Sequence, residues 1–99
     1  MSSFAQHAAA DRRRIILQTL SESPGYACNI YLLQQVLAGH GHSVAADTLQ
    51  VELATLSEWG LISTESVATI TVATITQRGL DVAADRATVP GVARRQPGA

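Results

Sequence analysis

Every permanent positive charge in this 99-residue chain is an arginine: Arg12, Arg13, Arg14, Arg78, Arg86, Arg94 and Arg95. A guanidinium grips phosphate or carboxylate through paired donors, so Arg12, Arg13, Arg14, Arg78, Arg94 and Arg95 are the candidates for a nucleic-acid backbone. The simpler assignment makes Arg12 to Arg14 a solvated helix turn pairing with acids such as Asp11, and Arg94 with Arg95 a solubilising end. His7, His40, His42 and Cys28 are the candidate soft-metal ligands. Their spacing matches no zinc pattern, so no metal or cofactor is expected. Cys28 reads instead as a small, partly buried filler and the histidines as caps at a helix end. Glu52 and Glu58 do not face each other on a helix, and neither Gly39-His40-Gly41 nor the serines have the spacing of a phosphate loop or a nucleophile elbow. The chain is not expected to be an enzyme.

Composition sets the frame for these residues. With 46% hydrophobic and 15% charged residues and a net charge of -1, the chain reads as one small globular domain without a field strong enough to draw it onto nucleic acid or an anionic membrane. The lone Cys28 precludes an internal disulfide, and the start lacks the basic, apolar pattern of a secretory signal. A cytoplasmic protein is expected. No apolar run approaches the roughly 18 to 20 residues of a membrane span.

The elements that must position the candidates follow from periodicity and punctuation. Ser3 with Gln6 forms a capping-box pattern opening a first helix that ends near Glu22, with Ile16 and Leu20 facing a core. Ser23-Pro24-Gly25 breaks it. Asn29 caps a second helix carrying Ile30, Leu33, Val36 and Leu37, stopped by Gly39 and Gly41. After an extended piece at 42–44, a third helix runs from Ala46 to Trp59 on Leu49, Leu53 and Leu56, and Gly60 closes it. The period then alternates: Leu61 to Ser66 and Ile70 to Ile75 predict a hairpin turning at Val67-Ala68-Thr69. Thr76 caps a last helix through Arg86 with Leu80, Ala83 and Ala84 inward. Residues 87–99 hold Pro90, Gly91, Pro97 and Gly98 and read as a flexible basic tail.

The order α-α-α-β-β-α, mainly α with a small β-hairpin, is that of a winged helix-turn-helix domain over residues 1–86. In TLQVELATLSEWGLI a leucine-spaced helix ends in Trp-Gly and enters a strand, and ATITQRGLDVA resembles the wing-to-last-helix junction of ArsR-type and PadR-type regulators, where a strand ends in Thr-x-x-Gly. ADRRRIILQTLSESPGY, the same middle stretch and ITQRGLDVAADRATVPGV together resemble a family of small ArsR-like winged-helix proteins of Mu-like phages and prophages. That resemblance implies a phage-encoded helix-turn-helix protein in the host cytoplasm. The cysteine pair that metal-sensing ArsR-type repressors carry on the third helix is absent.

A recognition helix needs arginine, lysine, asparagine or glutamine on its solvent side. With the leucines inward, Asp47, Val51, Ala54 and Glu58 point outward beside Thr48, Gln50 and Thr55. Thr48, Gln50 and Thr55 are the candidate base contacts, and the hairpin carries Glu65 but no cation. Phe4, Tyr26, Tyr31 and Trp59 are too dispersed to stack single-stranded nucleic acid. Trp59 is assigned to the helix-wing junction and Phe4 to a dimer seam. The expected function is therefore double-stranded DNA binding by a homodimer joined through the first and last helices, as a transcriptional regulator or phage DNA-associated protein. The alternative is an adaptor docking a phage or host protein on the acidic, partly apolar face of the third helix.

Overall fold

The computed structural model describes residues 3–94. Four helices and a small sheet follow in the order α1 (Ser3–Glu22), a single 3-10 turn (Pro24–Tyr26), β1 (Ala27–Asn29), α2 (Ile30–Gly39), α3 (Ala46–Glu58), β2 (Ile62–Val67), β3 (Ile70–Ile75) and α4 (Gln77–Ala83). The protein is mainly helical with a three-stranded antiparallel sheet in the order β1-β3-β2. The sequence predicted two strands. The third, β1, pairs Ala27 with Thr74 and Asn29 with Val72.

The helix ends follow the predicted punctuation. Asn29 Oδ1 accepts the amides of Tyr31 and Leu32, both at 2.9 Å, which satisfies two orphan donors at the start of α2. At its end Gly41, at φ 88°, lets the His42 amide return to the Leu37 carbonyl. Gly60, at φ 76°, does the same for Leu61 and Leu56 at the end of α3. The last helix is shorter than expected. Asp85 takes the left-handed turn at φ 60°, Arg86 N–H reaches back to the Asp81 carbonyl, and α4 stops at Ala83. This leaves Ala84 exposed, with Val82 facing inward in its place. Ser3, expected as a cap, already lies within α1.

The core is assembled by Ile16, Leu17 and Leu20 from α1, Leu33 and Leu37 from α2, and Leu49, Leu53 and Leu56 from α3, all at most 1% exposed. Burial of each such side chain is worth about 1.5–3 kcal/mol. Leu61, Ile62, Ala73 and Ile75 carry the core into the base of the sheet. Beyond Ile62 every residue of β2 is exposed, so the hairpin projects from the body.

Residues 87–94, expected as the start of a flexible tail, lie against the domain instead. Val92 is buried, Ala87 and Val89 pack on the core, and the Ala93 amide donates to the Ala10 carbonyl of α1 at 3.1 Å. Alternating small apolar residues give this proline-containing stretch enough surface to dock. Residues 95–99, including Arg95, lie outside the described residues.

Candidate functional site: the arginines and the outer face of α3

The three consecutive arginines of α1 leave the helix about 100° apart, yet Arg12 and Arg13 converge on one carboxylate while Arg14 takes another. Arg12 Nε and Nη2 lie 3.1 Å from Glu52 Oε2, and Arg13 Nε lies 2.8 Å from Glu52 Oε1. One buried carboxylate thus holds two guanidinia, each on its own oxygen. Arg13 also donates Nη1 to the Gly91 carbonyl at 3.0 Å and stands over the Trp59 ring, 5.2 Å from its centroid. Arg14 is itself buried. It pairs with Asp85 at 2.9 Å and donates to the Val82 and Ala83 carbonyls, neutralising the last turn of α4.

Neither sequence assignment anticipated this. Arg12, Arg13 and Arg14 are not a solvated turn, and Asp11 pairs with His42 at 2.8 Å rather than with any of them. Their guanidinia face carboxylates and carbonyls of the same chain instead of being presented for phosphate. The residue that sequence reasoning missed is Glu52. Its signal was present: Glu52 is three residues after Leu49 and four before Leu56, the one acid on the apolar side of α3, in a chain with three adjacent arginines on another helix.

Arg86 pairs with Asp81 at 3.0 Å. Arg78 is exposed, yet its Nε donates to the Trp59 carbonyl at 3.2 Å, at the negative end of α3. Arg94 is exposed.

Of the candidate base contacts, Thr48 is exposed, Thr55 is half-buried, and exposed Gln50 donates its amide to Thr71 Oγ1 at 2.8 Å. That last bond ties α3 to β3 and so joins the helix to the hairpin. The outer face of α3 presents Asp47, Val51, Ala54 and Glu58 as expected, and the hairpin exposes Glu65, Val67 and Ile70 on the sheet face opposite Thr71. Val51, Val67 and Ile70 are 65%, 53% and 37% exposed. The outer face of α3 is acidic and partly apolar, and the hairpin adds an acid and two apolar side chains of its own.

Of the remaining chemistry-bearing groups, His7 is exposed and the others are half-buried or bonded within the domain. His40 Nδ1 lies 2.9 Å from the Val36 carbonyl, capping α2, whereas His42 serves Asp11 rather than a helix end. Cys28 is half-buried, and burial pushes its thiol above the ordinary value. Among the described residues no three His, Cys, Asp or Glu side chains are grouped to hold a metal ion. No helix among them is long and apolar enough to cross a membrane.

The junction after α3 is built around one carbonyl. Leu61 O accepts the Thr76 amide at 3.0 Å, and a Cβ on Gly79 would collide with it. Thr76 Oγ1 donates to Gly60 O at 2.7 Å and accepts the Gly79 amide at 3.1 Å. The Thr-x-x-Gly spacing is thereby explained: threonine caps α4 while glycine admits the strand end.

Comparison with known proteins places this architecture in a lineage. No family model matches the sequence. The chain is 39% identical over 87 residues to the uncharacterized protein gp26 of Escherichia phage Mu, covering 88% of this chain and 90% of that protein. It is 35% identical over 79 residues to an uncharacterized protein of Haemophilus influenzae, covering 79% and 76% respectively. Both alignments span most of each partner, so the chain belongs to the family of the phage Mu protein gp26.

Proposed function

We propose that this protein is a phage-derived winged-helix module that works inside the host cell by docking a basic, partly apolar protein partner on the outer face of α3 and the adjoining hairpin. The winged-helix assignment is supported by the order α-β-α-α-β-β-α and by the projecting hairpin. The observation that carries the partner assignment is charge placement. Asp47, Glu58 and Glu65 lie on the two elements that a winged helix presents to DNA, while Arg12, Arg13 and Arg14 are bound to Glu52 and Asp85 within the domain. A phosphate backbone would meet repulsion there, whereas a cationic protein surface is attracted and the exposed valines supply apolar area. Co-purification from phage-infected cells after nuclease treatment tests it. One stoichiometric partner, lost in a Val51→Arg, Glu58→Lys variant with an unchanged melting temperature, is expected; retention of that partner by the variant refutes the reading.

A second reading is supported by exposed Arg78, which is close to the hairpin base, and by exposed Arg94. In it a homodimer binds double-stranded DNA, as an ArsR-like regulator or a phage DNA-associated protein, with Arg78 and Arg94 on phosphates and Thr48 at bases. A mobility shift of phage DNA at micromolar protein, falling steeply with salt, would favour it over the adaptor.

A further inference from the structure

The first turns of α1 run past the body, with residues 3–7 all exposed, and they end in the most exposed large apolar side chain among the described residues, Phe4 at 79%. Phe4, Ile15 and Glu22 fall on one line of the helix, because 11 and 18 residues correspond to about three and five full turns. On that line, beside the far end of α1, lies a groove of about 460 Å³ whose apolar walls are Ile15, Pro24 and Val36 and whose rim includes Thr19 and Glu22. One helix therefore carries both an unburied aromatic ring and a cleft able to take one, separated by about 22 Å along its axis. The cleft is too far for its own Phe4.

The charges of α1 also fail to complement its dipole. Its first turn has no acid, its last turn has no base, and the last residue is Glu22. A carboxylate at a helix C-terminus is unfavourable, but beside the N-terminus of another helix it is stabilising.

The geometry points to a second copy of this chain as the occupant. Two α1 helices pair antiparallel, each Phe4 seats between Ile15 and Val36 of the other, and each Glu22 meets the other's first turn. Antiparallel pairing makes the contact isologous, so both rings insert at once and the assembly closes as a two-fold dimer. Ala8, between ring and cleft, permits close approach. Asp11, near the two-fold, is held by His42 of its own chain. Two rings burying about 150–250 Å² each, together with helix faces about 30 Å long, bring the interface to the order of the 1,000 Å² expected of a specific contact. This differs from a seam formed with the last helix, and it rests on neither reading of the α3 face.

Sedimentation equilibrium of the purified full chain is the test. The wild type should dimerise reversibly, and Phe4→Asp should raise the dimer dissociation constant about 30-fold or more, with the melting temperature of the dilute monomer unchanged because Phe4 touches little of its own body. Glu22→Lys should weaken the dimer in a salt-dependent manner. In a Cys28→Ser background, Phe4→Cys with Thr19→Cys should oxidise to a covalent dimer and no larger species, while Phe4→Cys alone should not crosslink. A monomeric wild type, a Phe4→Asp dimer of unchanged affinity, or crosslinking by Phe4→Cys alone overturns the proposal.

Discussion

Arg13 Nε and Glu52 Oε1 meet at 2.8 Å between α1 and α3, where the carboxylate is buried and the guanidinium only partly so. The bond belongs to a cation-anion-cation triad completed by Arg12, and the guanidinium that makes it also carries the weight of Trp59 and Gly91. Desolvating three charges is costly, and the triad is held together because both carboxylate oxygens are engaged and no buried side-chain polar atom among the described residues lacks a partner. Removing the central carboxylate leaves two guanidinia facing each other.

Glu52→Ala should therefore destabilise the fold by about 2–4 kcal/mol, toward the low end of buried-pair losses because the arginine side chains are 15% and 20% exposed. Urea denaturation of the single variant, and of the variant combined with Arg12→Ala and Arg13→Ala, measures it. The combined variant should recover part of the loss, since it no longer buries unpaired positive charge.

Gly79→Ala should be the most damaging small substitution in the domain. Its methyl would meet the Leu61 carbonyl and Ile75 side chain, neither free to withdraw. A loss exceeding about 4 kcal/mol is expected, which is a large part of a small domain's stability. Thr76→Ala, which loses a cap, should cost about 1 kcal/mol. Melting curves that rank these two variants the other way would contradict the geometry of the junction.

The hairpin turn is improvable. Ala68 and Thr69 both adopt left-handed backbone, at φ 51° and 68°, in a two-residue connection that favours Asn-Gly. Side chains in this region cost about 1–2 kcal/mol each. Ala68→Asn with Thr69→Gly should stabilise by about 1 kcal/mol, raising the melting temperature by about 4–8 °C for a domain of this size.

Gly91 sits at φ 97° with Trp59 in the space a Cβ would fill, 2.6 Å from the ring edge. Gly91→Ala should release residues 87–94 from α1 and uncover the edge of the core that Ala87, Val89 and Val92 cover. Hydrogen exchange resolved to single amides should show faster exchange at Ala93, which donates to Ala10, with the α3 amides unaffected.

The raised Cys28 thiol has two readable effects. Alkylation at pH 8 should be slower than for a free peptide thiol, because less thiolate is present. A pKa higher in the folded than in the unfolded state means that its contribution to stability is full below the unfolded value and declines as pH rises through the folded one. Cys28→Ser should accordingly flatten the alkaline limb of a stability-pH curve.

How much of this was legible without coordinates varies with the range of the interaction. Asn29, Gly41, Gly60 and Thr76 announced helix ends because capping is decided within a few residues. The leucines of α3 announced its inner face for the same reason. Strand β1 was silent: three residues are too few for an alternation to register, and its partners, Thr74 to Val72, are more than forty residues away. Glu52 was visible as an oddity of pattern, but only packing shows that α1 crosses it at Arg12 and Arg13. The run 87–94 looked like a tail because its proline and glycine suit loops, and its docking depends on an Arg13 side chain and a Trp59 ring that no local rule connects to it.

The bonds around Leu61 and Thr76 have a consequence for how this family can vary. They clasp the hairpin at its root, so that strand exit, strand return and the start of α4 are set by contacts lying behind the projecting part. Residues 64–70, all exposed, then lie beyond the hydrophobic body. Lengthening, recharging or exchanging that tip leaves the contacts that set the fold in place, which is the condition under which a family can vary a surface while keeping its body.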